Sequence, residues 1–96
     1  MAHTSHMTTL NLLDGLQERG FTPDLDAAFN FDCFDLHVGT QRKVRVAVDD
    51  TEVIVYMLDR FGVVLWHARL LDTMPASIIA AVIDLAIANA YAASET

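Results

Sequence analysis

Val44-Arg45-Val46-Ala47-Val48, then Asp49-Asp50-Thr51-Glu52, then Val53-Ile54-Val55-Tyr56-Met57-Leu58, is the stretch that decides the fold of this chain. Valine at every second position is the period of a strand with one buried face. Taking Asp50-Thr51 as a two-residue turn places Val48 opposite Val53, Val46 opposite Val55 and Val44 opposite Met57. The loop Asp59-Arg60-Phe61-Gly62 then sets Met57 against Val64, Val55 against Trp66 and Val53 against Ala68. Every inward residue lands on one face, and a slip of one position would turn all of them outward.

The second face of the two strands between Val53 and Leu70 is nearly as apolar. Ile54, Tyr56, Leu58, Val63 and Leu65 fall on the side that this parity leaves uncovered. An exposed patch of that kind marks a surface for another chain. Arg45 stands on the same side beside Tyr56, and aromatic residues with arginine are enriched at interfaces. The predicted interaction surface is therefore Arg45, Ile54, Tyr56, Leu58, Val63 and Leu65, together with Ile87 from the last helix.

Working outward, Phe34, Leu36 and Val38 alternate with Asp35 and His37, and Gly39-Thr40-Gln41 joins this strand to the next as a hairpin. Leu10, Leu12, Leu13 and Leu16 form a helical stripe over Thr9–Arg19, with Thr8 or Thr9 as cap. Gly20 is placed to end that helix in the left-handed conformation, with Phe21 folding back on Leu16. Thr22-Pro23-Asp24 reads as a cap and a first-turn proline, which predicts a short helical turn over Pro23–Phe29. The last helix runs from about Pro75 to Ala92, and Ile78, Ile79, Val82, Ile83, Leu85, Ala86 and Ala90 make a wide apolar face. A helix apolar almost all round is central or shared with a partner. Asp84 at mid-span and Asn89 weigh against membrane insertion, because a central Asp costs about 3 kcal/mol there.

The order α-β-β-β-β-α predicts an α+β protein: a two-layer sandwich, with a four-stranded antiparallel meander and an N-terminal and a C-terminal helix packed on one face. Trp66 is expected beneath those helices beside Val55. Met1-Ala2-His3-Thr4-Ser5-His6 has no apolar period and reads as an expression-tag remnant, leaving residues 7–94 as a single domain.

Thirteen Asp plus Glu against six Lys plus Arg, a net charge of −7, argue against a phosphate-neutralising surface, and the one basic cluster, Arg42-Lys43-Arg45, reads as a charged strand edge, so no direct nucleic-acid binding is expected. The single cysteine, Cys33, excludes an internal disulfide, and no secretory segment follows Met7, so a cytoplasmic protein is expected. Cys33 and His37 lie on one strand, too far apart for a dyad, and His67 is three strand spacings of about 4.8 Å from His37. Asp24, Asp26 and Asp32 lack calcium-loop spacing, and no phosphate cradle, zinc motif or nucleophile elbow occurs. No catalytic, cofactor-binding or metal site is predicted.

These readings point to a small non-enzymatic protein-interaction module, homodimeric, acting as adaptor, antagonist or chaperone of an unidentified protein, without a membrane role. Two alternatives stay open. One is an acidic inhibitor or nucleic-acid mimic of phage or mobile-element type. The other is an enzyme with an intersubunit site around Cys33, His37 and His67.

Overall fold

The computed structural model describes residues 12–24 and 32–94. Helix α1 occupies 12–18, followed by strands β1 (Thr22–Pro23), β2 (Asp32–Val38), β3 (Arg42–Val48), β4 (Glu52–Asp59) and β5 (Val64–Leu71), then helix α2 (Ala76–Ser94). The strands form one antiparallel sheet in the order β1-β2-β3-β4-β5. The class is the α+β class expected, with five strands in place of four.

The additional strand is the Thr22–Pro23 segment. Thr22 pairs with Asp35 and Pro23 with Phe34, while the Asp24 N–H donates to the Cys33 carbonyl at 2.8 Å. Pro23 sits on the sheet edge, where its missing N–H costs nothing, rather than in a first helical turn. The rest of the expected helical turn and the start of the first helix lie outside the described residues.

The end of α1 follows the predicted stop. Gly20 has φ +92°, its N–H donates to Gln17 O at 3.0 Å, and the Phe21 N–H donates to Leu16 O at 3.0 Å. This is the paired bond pattern of a Schellman turn. Leu16 and Phe21 are both buried in the main core cluster.

Val44 opposes Met57, Val46 opposes Val55 and Val48 opposes Val53, as the valine arithmetic requires. The turn between these strands is fixed by Asp49, whose Oδ1 accepts the N–H groups of Thr51 and Glu52, each at 2.8 Å. Those bonds hold the Asp49 carboxyl below its ordinary range, Thr51 contributing most. Strand β5 is displaced by two residues from the expected register: Met57 opposes Trp66, Val55 opposes Ala68 and Val53 opposes Leu70. Leu58 opposes Val64, which leaves Leu65 as the extra residue of a bulge. An even displacement preserves parity, so Trp66 and Ala68 still face the helices. Val64, before the bulge, faces the other way.

Helix α2 lies chiefly over β3, then β4 and β2, and buries Ile79, Ile83, Ala86 and Ala90 against the valine face. Ile78 and Leu85, assigned to the buried face by sequence, are exposed. The two helices are tied by Arg19, whose Nε and Nη2 donate to Asp84 Oδ1 and Oδ2 at 2.6 and 3.0 Å. The hydrogen bond from Arg19 holds the Asp84 carboxyl below its usual range. A depressed folded value stabilises the protein above the unfolded carboxylate range, and that contribution is lost as pH falls through the folded value. Asp84 is more than half exposed. Asp84→Asn should therefore cost about 0.5 kcal/mol at neutral pH, and the difference from the parent should vanish in urea titrations run at pH 2–3.

Candidate functional site

The face of the sheet turned away from the helices carries Cys33 and Asp35 of β2, Lys43, Arg45 and Ala47 of β3, and Ile54, Tyr56 and Leu58 of β4, by cross-strand parity. Ile54 and Leu58 are each only 5% exposed, so the expected greasy patch is smaller here than the sequence suggests. Ile54 packs in a second cluster with Cys33, Ala47 and Tyr56. The register also stands a long cation beside each apolar residue: Arg69 beside Ile54, Arg45 beside Tyr56 and Lys43 beside Leu58. Arginine and lysine stems cover apolar neighbours while their charged ends stay wet.

The charges on this face are largely neutralised among themselves. Arg45 donates from Nε and Nη2 to Asp35 Oδ1 and Oδ2 at 2.7 and 2.9 Å, and from Nη2 to Asp24 Oδ2 at 2.8 Å. Lys43 Nζ stands 3.8 Å from the same Asp35. Arg69 pairs with Glu52 at 2.7 Å. Between these residues lies a depression of about 440 Å³, lined by Cys33, Lys43, Arg45, Tyr56, Leu58 and Val64 among others. Arg45 holds its lip together. Arg45→Ala leaves the half-buried Asp35 with Lys43 alone, and the expected cost is about 1–3 kcal/mol, read as a lower urea midpoint at an unchanged m-value.

The candidate chemical groups are not gathered into a site. Burial pushes the Cys33 thiol up, with Arg45 opposing the shift, so a thiolate nucleophile is disfavoured at neutral pH. His67 lies against Tyr56, with ring centroids 5.8 Å apart, in the row of Arg45 and Asp35. His37 belongs to the row of Lys43, Leu58 and Val64, on the opposite side of the sheet centre. Among the described residues no three His, Cys, Asp or Glu side chains are grouped to hold a metal.

The exposed apolar surface is elsewhere. Among the described residues, the large apolar side chains in the open are Phe61, Val63, Val64, Leu65, Trp66 and Leu71 on and beside β5, and Ile78, Leu85 and Tyr91 on α2. Val63 and Leu65, predicted for the interaction surface, are exposed here. Arg45 and Tyr56 are half-buried, and Ile87 packs against the main core. Sequence reasoning missed Trp66 and Leu85 because it gave both to the core. The signal that could have found Leu85 is its position on the opposite side of α2 from Ile83's row. Trp66 is open because α2 lies chiefly over β3 and β4 rather than over β5.

Helix α2 is long and apolar enough to cross a membrane by length and composition, and about a fifth of that span is buried in the fold. Comparison with protein-family models, curated proteins and solved structures finds no match to this chain.

Proposed function

We propose that this chain is a small non-enzymatic protein-interaction module that works as a homodimer and acts on another protein as an adaptor, antagonist or chaperone. The observation that carries the reading is the distribution of exposed apolar residues. Between residues 12 and 59 the described large apolar side chains are covered, and from Phe61 onward nine of them stand in the open. These residues lie on both faces of the edge strand β5, on its turn and on a face of α2, and exposed apolar surface of this extent marks a surface for association.

The charge distribution supports the same reading over a nucleic-acid mimic. The carboxylates of Asp24, Asp35, Glu52 and Asp84 are each bound by an arginine of the same chain, and Asp49 and Asp59 fasten turns. Acids tied inward in this way do not form a phosphate-like stripe.

The reading is tested by sedimentation velocity between 1 and 100 µM, the range in which a modest interface titrates at about 6–8 kcal/mol. A concentration-dependent shift toward twice the chain mass is expected. A strict monomer across that range would remove the homodimer.

A further inference from the structure

Resting on the homodimer reading, we infer that the two copies interleave their last helices: the outer face of α2 in one copy lies in the trough over β5 of the other. The first observation is a double stripe on α2. Ile79, Ile83, Ala86 and Ala90 are buried, while Ile78, Ala81, Leu85, Ala88 and Ala92 are exposed at the same alternating spacing. At 100° per residue the two stripes are centred roughly 150° apart, on opposite sides of the helix. A helix with two apolar stripes is built to be covered twice.

The second observation is the incompletely covered strip of sheet along β5, where Leu70 is buried in the core and Trp66 is not. Trp66 and Ala68 face the helix layer, yet α2 lies over β3 and β4, and Trp66 remains 37% exposed. Two strand spacings separate β3 from β5, or about 9.6 Å. Packed helices stand about 8–10 Å apart, so one further helix fits beside α2 and above β5.

The neighbouring elements agree on which helix that is. Arg19, just past the end of α1, binds Asp84, and the adjoining Gly20 lies against Leu36 of β2, so α1 flanks α2 on the Asp84 side, toward β2. The opposite flank, with Ile78 and Leu85, borders the open part of the strip around Trp66. A two-fold axis between the α2 helices places the partner's α2 over β5 and this chain's α2 over the partner's β5. Each α2 is then held between two sheets, which accounts for both stripes. The partner's sheet ends above α2 and leaves α1 outside the interface, as its exposed Asp14, Gln17 and Glu18 require.

Charge and area fit a second copy. A chain of net charge −7 repels itself unless the joining surface lacks carboxylates. Arg60–Leu71 contains none, and the only acid within α2 is Asp84, occupied by Arg19 on the far flank. Helix α2 has 19 residues, a length of about 28 Å, and its outer face plus the trough cover on the order of 500 Å² per copy. The total of about 1,000 Å² reaches the lower limit of specific interfaces.

Trp66 is the only tryptophan and reports directly on the trough. We expect its emission to shift to the red as the protein is diluted from 100 µM to 100 nM. Leu85→Glu should show the red-shifted emission at every concentration, sediment as a monomer and keep the parent's far-UV circular dichroism. His67→Pro serves as the control for pairing through the β5 edge. The Asp72 N–H donates to Thr51 O, and ladder bonds alternate from there, so the His67 N–H points away from β4. The interleaved dimer should survive this change. A dimer that tolerates Leu85→Glu but is split by His67→Pro would overturn the helix exchange and leave self-association standing. A strict monomer would overturn both, as would a monomer whose Trp66 emission moves only when phosphatidylcholine vesicles are added.

Discussion

Ile83→Ala should lower the unfolding free energy by about 3–4 kcal/mol, read as a large drop in the urea midpoint at unchanged m-value. Ile83 is 1% exposed and packs in the cluster that holds Val46, Val55 and Met57. Removing its branched side chain costs the transfer of the lost methyl groups and leaves a cavity between helix and sheet. The valine floor cannot collapse into that cavity, because β3 is bonded on both sides by β2 and β4. A domain of this size is only marginally stable, so the variant should be largely unfolded at 37 °C. Leu85→Ala, two residues along and 70% exposed in the single chain, should change the unfolding free energy of a dilute sample by less than about 0.5 kcal/mol.

Trp66→Ala should weaken self-association at least about 30-fold while leaving the dilute monomer folded. The indole lies on the helix side of an edge strand that its own helix covers only in part, so its ring is available to a partner. Buried tryptophans dominate interface energetics, and truncating one at the centre of a contact costs about 2 kcal/mol or more. Sedimentation equilibrium of the parent and the variant gives the ratio directly. Tyr56→Asp, on the opposite face of the sheet, should leave that ratio near one, because its neighbours are Arg45 and His67 of its own chain.

The elements that local chemistry determines were legible in the chain. Gly20 followed by Phe21, with Leu16 waiting four positions before, specifies a helix stop whichever tertiary contacts follow. The valine ladder from Val44 to Met57 specifies its own register, because only one parity buries it. The parts that depend on distant partners were not legible. Pro23 satisfies a helical first turn and an edge strand equally well, and the neighbouring β2 edge decides between them. A connection one residue longer than expected and the single-residue bulge at Leu65 together move β5 by two residues without disturbing the inward parity of Trp66 and Ala68, so the alternation pattern cannot reveal them. Ile54 and Leu58 are covered by neighbours that only the register assigns to them. For the interaction surface, the alternation pattern placed an apolar face on the two strands between Val53 and Leu70, of which Val63 and Leu65 are exposed while Ile54 and Leu58 are buried. It did not separate the two stripes of α2, since that separation depends on where the helix lies over the sheet.

The contact between α2 of one copy and β5 of the other is tested most directly by isotope-filtered nuclear Overhauser spectroscopy on a dimer mixed from labelled and unlabelled chains. Cross-peaks between the Trp66 indole protons of one copy and the methyl groups of Ala81, Leu85 or Ala88 of the other are the predicted result. A sample that sediments as a dimer and shows no such cross-peaks would contradict it.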